Sequence, residues 1–271
     1  MRTIAVVNLK GGSAKTTSAL NLAVGAAGRK RRVLMIDADP QANASLTLLD
    51  GATAEEPTLS QVLLDQAEAV AAVRPSRVKR VDILPADARL ADAALLLAEQ
   101  LGRERRLRSA LRTVEGNYDL VIVDAAPQLN LVTINVLNTV GELIVPVDAG
   151  LYSLIGLGRL EETIDQVRRF LDNRELRIAG LVLTRTHHNR ATKDLERQLR
   201  EVYGDRVYQT TIPHSVRVEE AHARHRTVLE FAPKSPPALA YDRLLTEVLK
   251  HGQSQRNARR ADSSDGDADA A

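Results

Sequence analysis

The sequence predicts an α/β fold: a doubly wound, mostly parallel β-sheet with helices on both faces. Short apolar runs rich in β-branched residues recur along the 271-residue chain, as expected for strands buried on both faces. Segments with helical spacing of apolar residues alternate with these runs. A glycine-rich turn joins the first run to the first helical segment, which is typical of a strand–turn–helix unit that binds phosphate.

Seven strands and eight helices are predicted in alternation along the chain. Each strand is an apolar run between polar or turn residues, and each helix has apolar residues on one face. Gly28 follows the first helix, where a C-terminal cap is expected. The predicted strands cover residues 3–8, 33–37, 81–85, 120–124, 143–147, 178–184 and 207–212. The predicted helices cover residues 16–27, 59–64, 88–101, 103–114, 131–140, 157–171, 192–202 and 237–249.

The composition indicates one folded domain followed by a polar tail. Hydrophobic residues make up 44% of the chain and aromatic residues 3%, so the core is expected to be aliphatic. Residues 1–250 are expected to form this single domain. Polar and charged residues replace the apolar ones beyond it, and residues 251–271 are therefore expected to be a disordered tail.

Composition also predicts where the protein resides. No apolar run approaches the roughly 20 residues that a membrane-spanning helix needs. The first predicted strand begins at residue 3, so no signal peptide is expected. The chain has no cysteine, which excludes disulfides and thiolate metal sites. Together these observations predict a cytoplasmic protein without a membrane partner.

The turn between the first strand and the first helix carries the most informative motif, KGGSAKTT. Backbone N–H groups and the positive end of the helix dipole converge on an anion in such a turn. Lys15 is placed to reach the β- and γ-phosphates of a nucleotide, and the Thr16 hydroxyl to ligate Mg²⁺. An ordinary exposed turn is the alternative, but two lysines, paired threonines and a helix in register favour a nucleotide. The predicted binding residues are Lys10, Gly11, Gly12, Ser13, Ala14, Lys15, Thr16 and Thr17.

Three carboxylates follow later predicted strands. Asp37 and Asp39 are separated by one residue, so they point the same way on an extended chain. Asp124 ends the fourth predicted strand, where a carboxylate can hold Mg²⁺ through its water shell. In a parallel sheet these strand ends lie beside the phosphate-binding turn. The alternative for each is a loop or capping residue.

The first motif resembles the deviant Walker A motif of the ParA/MinD family of P-loop ATPases, K-G-G-x-x-K-T-T. The D-A-D-P-Q sequence that begins at Asp37 is similar to the family's second motif, and the strand ending at Asp124 has a Walker B form. The resemblance extends to about residue 249 and implies a P-loop NTPase fold. It further implies that Lys10 reaches a partner's nucleotide across a dimer interface, that Asp39 positions the attacking water, and that Asp37 supports the metal and switch region. The predicted catalytic residues are therefore Lys10, Lys15 and Asp39, and the predicted metal-site residues Thr16, Asp37 and Asp124.

The chain departs from the family pattern at several positions. Leu9 and Ala14 stand where the strict P-loop pattern has glycines, and Ala126 and Gln128 replace the family's proline and serine after the Walker B strand. If Ala14 has a positive φ, its methyl group costs on the order of 1 kcal/mol or more in strain. We therefore expect nucleotide binding to persist and hydrolysis to be slow.

A distal segment, TIPHSVRVEEA, is similar to the family's I-P-x-x-x-R-x-x-E-A run. The resemblance implies that Pro213 closes over the nucleotide base and that Arg190 and Arg217 contact DNA. Arginines on an outer face bind the phosphate backbone without reading bases. The alternative is a solvated surface with internal ion pairs. Further arginines surround these two: Arg197, Arg200, Arg206, Arg224 and Arg226.

The resemblance implies a partition ATPase that uses ATP and Mg²⁺. Two subunits would sandwich two nucleotides, the homodimer would bind nonspecific DNA on the nucleoid, and a centromere-binding partner of the ParB kind would stimulate hydrolysis. Two alternatives stay open. A MinD-like membrane-associated positioning ATPase would need an amphipathic C-terminus, and Leu244, Leu245, Val248 and Leu249 form an apolar stripe there. A nucleotide-gated DNA-binding scaffold with negligible turnover would follow if Ala14 stops hydrolysis.

Metal binding beyond Mg²⁺ is not favoured. Histidines cluster in the distal part of the chain, but no cysteine or paired acid completes a ligand set around them. An arsenite- or metal-targeting ATPase and an iron–sulfur reductase would both need the cysteines that this chain lacks. The histidines concerned are His187, His188, His214, His222 and His225.

Overall fold

A computed structural model describes residues 1–148, 153–187 and 189–265, with side chains described outside 153–154 and 251–265. Its strands are β1 (Arg2–Val6), β2 (Val33–Ala38), β3 (Arg74–Pro75), β4 (Val81–Leu84), β5 (Leu120–Ala125), β6 (Glu142–Asp148) and β7 (Arg177–Thr184). Its helices are α1 (Lys15–Gly28), α2 (Asn43–Leu48), α3 (Leu59–Leu63), α4 (Ala69–Ala72), α5 (Leu90–Leu96), α6 (Arg106–Ala110), α7 (Leu131–Thr139), α8 (Ser153–Phe170), α9 (Arg190–Tyr203), α10 (Val216–His222), α11 (Val228–Phe231) and α12 (Pro236–Asp265).

The strands form one sheet in the order β3-β4-β2-β5-β1-β6-β7. The pairs are parallel, except that the short β3 runs antiparallel to β4. The carboxyl ends of β1, β2 and β5 therefore meet at one edge, with Asp37 and Asp124 directly opposite each other in the register of β2 and β5. This edge is where a doubly wound sheet binds its ligands.

Two hydrophobic clusters cover the two faces of the sheet. Alternate residues of β1 point to opposite sides, so Ala5 packs in one cluster and Ile4 and Val6 in the other. Helices α3 to α9 contribute to the first cluster, and α1, α2 and α10 to α12 contribute to the second. The predicted sheet with helices on both faces is confirmed.

The predicted strand over residues 207–212 is wrong. This segment follows the edge strand β7 through isolated bridges at Val207 and Pro213. The backbone N–H groups of Gln209 and Thr210 donate to the carboxylate of Glu247 on α12, at 2.8 and 3.0 Å, instead of to a neighbouring strand. The N–H groups of Tyr208 and Ile212 still donate to carbonyl oxygens of β7, at 2.9 and 2.8 Å, so the Glu247 carboxylate interrupts the ladder that the apolar pattern predicted.

The predicted helices over residues 88–101 and 103–114 are shorter and broken. Helix α5 ends at Leu96 and continues as a 3-10 turn to Glu99, while 3-10 turns flank α6 on both sides. Asn135 and Asn138 of α7 donate side-chain hydrogen bonds to the carbonyl oxygens of Arg103 and Glu104, at 2.6 and 2.8 Å. These bonds occupy carbonyl groups that a continuous helix would use.

Other boundaries differ by smaller amounts. Gly28 is the last residue of α1 rather than its cap, and Lys30 has the positive φ of 63°. Helices α2, α4, α10 and α11 and the short strand β3 were not predicted. Helix α12 extends to Asp265, so part of the predicted polar tail lies within it, and residues 266–271 lie outside the described residues. Disorder of the tail stays a prediction.

The apolar stripe near the C-terminus packs onto the body of the protein. Leu244, Leu245 and Val248 are buried within the cluster that contains α1, and the partly buried Leu249 packs against it. Packing thus accounts for the stripe, as the polar residues after it suggested. In the described part of the chain, no helix combines the length and the apolar character required to cross a membrane.

Gly180 allows β7 to pass closely over Tyr208. A Cβ atom at Gly180 would overlap Cζ of the buried Tyr208 ring. We expect Gly180→Ala to lower the free energy of unfolding by about 1–3 kcal/mol, because the ring is enclosed and the strand backbone must shift. Urea unfolding measures the change. Gly156→Ala in α8 is the matched control, since no atom lies within 4 Å of a Cβ there; equal destabilisation by both substitutions would contradict the explanation.

Candidate nucleotide-binding site

The turn between β1 and α1 forms a compact cradle. Gly12 and Ala14 both have left-handed backbone conformations, with φ of 74° and 65°. The buried Ser13 donates its hydroxyl to the carbonyl oxygen of Lys10 at 3.1 Å, and Lys15 Nζ donates to the same oxygen at 2.9 Å. The expected positive φ of Ala14 is therefore present, and it stores about 1 kcal/mol or more of strain at the point where the helix begins.

Lys15 is the buried cation of this cradle. Its side chain is largely enclosed, with the residue 7% exposed. Burial lowers the pKa of Lys15, and the nearby carboxylates of Asp124 and Asp39 oppose part of that fall. A phosphate in the cradle would supply the anion that favours the charged ammonium.

Asp37 holds the loop after β2 in place through hydrogen bonds. Its Oδ2 atom accepts hydrogen bonds from the backbone N–H and the hydroxyl of Ser45, both at 2.8 Å, and its Oδ1 atom accepts from the N–H of Asp39 at 3.2 Å. Complete burial raises the pKa of Asp37 to about 6 against the opposing effect of the Ser45 bonds. Both oxygens are used within the protein, so this side chain is suited to hold the switch segment.

Asp124 lies beside Asp37 and is bonded quite differently. It is completely buried, and neither carboxylate oxygen has a hydrogen-bond partner among the described residues. Burial raises the pKa of Asp124 well above its usual value, the carboxylate of Asp37 raises it further, and the nearby Thr16 hydroxyl opposes the rise without meeting hydrogen-bond geometry. Two free oxygens beside a threonine hydroxyl fit the water shell of a Mg²⁺ ion held by Thr16 and phosphate.

Asp39 lies at the surface of the same edge. Its Oδ1 atom accepts a hydrogen bond from the N–H of Gln41 at 2.9 Å, and Ala42 behind it has a positive φ of 52°. The side chain is half-buried and lines the cleft above the cradle. This position fits a group that contacts a water beside the terminal phosphate.

Lys10 pairs with a carboxylate outside the cradle that holds Lys15. Its Nζ atom lies 2.8 Å from both carboxylate oxygens of Asp148 at the end of β6, with 36% of the Lys10 side chain exposed. Lys10 does not line the cleft of its own chain. Its pairing with Asp148 was not predicted, because it joins residues that are distant in sequence.

A cleft of about 380 Å³ opens above the cradle and brings most of the predicted residues together. Asp37 and Asp124 lie beneath it, buried. Arg185, at a positive φ of 52°, donates from Nη1 to the carbonyl oxygen of Gly12 at 3.2 Å and was missed as a cleft residue. The lining includes the predicted Gly11, Gly12, Ser13, Ala14, Lys15, Thr16, Thr17, Asp39 and Pro213 and also Asn43, Pro127, Arg185, Ile212, His214, Ser215, Val218, Glu219, His222 and Tyr241.

Comparison with known proteins decides the family. A protein-family model described as an AAA domain matches residues 1–178. The chromosome partitioning protein ParA of Caulobacter vibrioides is 37% identical over 259 residues, covering 94% of this chain and 97% of the relative. The chromosome-partitioning ATPase Soj of Thermus thermophilus is 39% identical over 255 residues, covering 93% and 97%.

The chain belongs to the ParA family. A solved structure from Mycobacterium smegmatis, described as cobyrinic acid a,c-diamide synthase with bound ATP analogue and magnesium, is 29% identical and superposes with a TM-score of 0.80, covering 94% of this chain and 97% of that one. The predicted P-loop fold, the ATPase activity and the use of ATP and Mg²⁺ are thereby confirmed for this ParA-family chain.

The two arginines predicted to contact DNA lie at the starts of neighbouring helices. Arg190 is the first residue of α9 and its side chain is 97% exposed, with Nε 3.9 Å from Asp194. Arg217 is the second residue of α10 and pairs with Glu220 at 2.8 Å. Other arginines are paired: Arg197 with Asp194, Arg200 with Glu196, Arg206 with Glu161 and Arg226 with Asp50, while Arg224 lies over the ring of Phe231. For those five, the described contacts favour an internally paired surface.

The histidines of this ParA-family chain do not form a metal site in the part that the structure describes. No three residues among His, Cys, Asp and Glu are grouped there so as to hold a metal ion. His187 and His214 stack with ring centroids 4.9 Å apart, whereas His222 lies in the cleft. His188 lies outside the described residues.

Proposed function

We propose that this chain is a partition ATPase whose ATP-bound homodimer binds DNA nonspecifically and releases it after hydrolysis. One observation carries the proposal: helix α10 belongs to both sites. Val218, Glu219 and His222 on α10 line the nucleotide cleft, and the exposed Arg217 extends from the same helix. A nucleotide that closes the cleft therefore acts on the helix that carries an arginine predicted to bind DNA.

Arg190 is linked to α10 through contacts between the segments that precede α9 and α10. The N–H of Thr186 donates to the carbonyl oxygen of Ile212 and the N–H of His214 donates to that of Thr186, both at 3.0 Å. The rings of His187 and His214 stack beside these bonds. The segments that precede α9 and α10 are therefore joined, and we expect a displacement of one to move the other. The ion pairs of Arg190 and Arg217 are exposed and weak, about 0–1 kcal/mol, so DNA phosphates can replace the carboxylates.

The dimer follows from the position of Lys10. In the single chain its charge is balanced by Asp148, outside its own cleft. The triphosphate of a second subunit carries more negative charge than one carboxylate, so an apposed cleft attracts this ammonium. Two arginine faces are then held together, and a weak contact of one chain with DNA becomes bivalent. A ParB-like centromere-binding protein would stimulate turnover, and the complex would reside in the cytoplasm on the nucleoid.

Two alternatives remain to be tested experimentally. A MinD-like positioning ATPase would float with liposomes in the presence of ATP, and binding to the vesicles would favour it. A nucleotide-gated scaffold would bind DNA with ATP but release no phosphate, even with DNA and partner present. The strained Ala14 is the observation that favours slow or absent turnover.

DNA binding is tested with Arg190→Ala and Arg217→Ala. We expect each substitution to weaken binding of an ATP-analogue-loaded protein to duplex DNA uniformly across sequences, and to reduce the slope of log affinity against log salt by about 1. Fluorescence anisotropy with unrelated duplexes, compared in no nucleotide, ADP and analogue, measures both effects. Arg174→Ala is the matched control, because that side chain is 88% exposed and precedes β7 at the opposite end of the strand. Retained affinity in both variants, or equal loss in the control, would place the DNA surface elsewhere.

A further inference from the structure

His222 occupies a position in the cleft that the family motifs do not account for. It is the last residue of α10, it is exposed to solvent on one side, and it lines the cleft on the other. Its Nε2 atom lies 3.2 Å from the hydroxyl oxygen of Thr17, in the first turn of α1. The imidazole therefore contacts the helix whose N-terminus is directed at the phosphate cradle.

We propose that His222 is a positioning residue that orients the Thr17 hydroxyl toward bound nucleotide phosphate and takes up one proton from solvent when the nucleotide binds. The inference rests on the assignment of the cradle as the ATP site. It adds a link between nucleotide affinity and pH that the partition function alone does not require.

The link follows from the hydrogen-bonding capacity of the two groups. In the neutral tautomer that carries its proton on Nδ1, which the proposal assigns to the free protein, His222 Nε2 accepts the Thr17 proton, and that proton then points away from the cradle. An imidazolium has N–H groups at both ring positions and can only donate, so Thr17 Oγ1 must accept. The hydroxyl proton is then free to be donated to a phosphate oxygen. Protonation of His222 thus converts Thr17 into a donor for the ligand.

The charges around His222 determine the direction of the effect. Burial lowers the pKa of His222 below its usual value of 6.5, and the carboxylate of Glu219 on the same helix opposes this. A bound polyphosphate adds negative charge and favours the imidazolium, so binding raises the pKa. The other titratable and charged side chains that line the cleft are Lys15 of α1, Asp39 after β2, Arg185 after β7, His214 before α10 and Tyr241 of α12.

The sign of the pH dependence follows from the charge of His222, which is neutral in the free protein and positive in the complex. Between the two pKa values the complex holds one more proton than the free protein, so nucleotide affinity rises as pH falls through this interval. The gain is complete below the pKa of the free protein. Each unit by which binding raises the pKa corresponds to a tenfold gain in affinity.

The test is a titration of the full chain with fluorescent ADP and Mg²⁺. It runs from about pH 6 to about pH 8.5, which covers most of the range in which a histidine titrates. We expect the affinity of the parent to rise about tenfold toward low pH relative to His222→Gln, which keeps a hydrogen-bonding side chain but does not titrate. His225→Gln is the matched control, because His225 packs against Gly51 and does not line the cleft. Calorimetry in two buffers of different ionisation enthalpy should detect proton uptake in the parent and in His225→Gln, but less of it in His222→Gln.

Identical pH profiles and identical proton uptake in the parent and in His222→Gln would overturn the inference. That outcome differs from failure of the proposed function. If the cradle were not a nucleotide site, neither protein would bind fluorescent ADP at any pH. If the DNA-binding role alone were wrong, the pH-dependent difference between the two proteins would persist.

Discussion

Lys15→Ala is expected to abolish measurable binding of both ATP and ADP. The Lys15 ammonium is enclosed in the cradle, held 2.9 Å from the carbonyl oxygen of Lys10, and it supplies positive charge beside Asp39 and Asp124. Without it, incoming phosphates would meet two carboxylates with no buried cation to offset them. Charge-assisted hydrogen bonds to phosphate in such a site are strong, and we expect an affinity loss of about 100-fold or more, which corresponds to roughly 3 kcal/mol. Isothermal titration with each nucleotide and Mg²⁺ measures it.

Lys10→Ala is the matched control for this experiment. It removes a lysine from the same turn, but one that pairs with Asp148 and lies outside the cleft of its own chain. We expect it to retain ADP binding while losing the dimer that forms with ATP, as measured by light scattering. If Lys15→Ala bound nucleotide as tightly as the parent, or if Lys10→Ala lost ADP binding equally, the assignment of the two lysines would be wrong.

The first turn of the site could be predicted because its signals are local. A strand, two glycines, two lysines and a helix start within a short segment impose one geometry, and even the strain at Ala14 followed from comparison with the glycine usually present. The proximity of Asp37 and Asp124 could also be predicted. Each ends a buried strand, and parallel strands end at the same edge of a sheet.

Other features depend on contacts between distant residues and could not be predicted in this way. The pairing of Lys10 with Asp148 and the contact of His222 with Thr17 join residues whose proximity exists only after the chain folds. The segment over residues 207–212 has the composition of a strand, yet the carboxylate of Glu247 accepts hydrogen bonds from the N–H groups of Gln209 and Thr210 in its middle. A local sequence pattern cannot reveal a competing hydrogen-bond acceptor from a distant part of the chain.

The difference between Asp37 and Asp124 also could not be predicted from the sequence. Both are aspartates at the ends of buried strands, and the resemblance implies that both belong to the metal and switch region. Their hydrogen bonds distinguish their roles: both oxygens of Asp37 accept bonds from Ser45 and Asp39, whereas neither oxygen of Asp124 has a partner among the residues that the structure describes. This difference predicts opposite effects on stability for the same chemical substitution.

Asp124→Asn is expected to stabilise the protein without nucleotide while disabling the site. The substitution replaces a buried carboxylate that has no hydrogen-bond partner in the described part of the chain by a neutral group of the same shape, and so removes a desolvation cost of about 1–3 kcal/mol or more. The amide cannot replace the charge that attracts the water shell of Mg²⁺. We therefore expect a higher melting temperature for the protein without ligand, together with at least about a 100-fold slower phosphate release with ATP and Mg²⁺.

Asp37→Asn provides the comparison that makes this result decisive. The new amide nitrogen would face either the Ser45 donors or the N–H of Asp39, so at least one of the three hydrogen bonds that hold the loop after β2 is lost. We expect destabilisation by about 1–3 kcal/mol in the same thermal scan, opposite in sign to Asp124→Asn. If Asp124→Asn also destabilised the protein, its carboxylate would have a structural partner, and the argument that its free oxygens serve the metal would fail. If it were stabilising yet hydrolysed ATP at the parent rate, the Mg²⁺ site would have to be assigned to other residues.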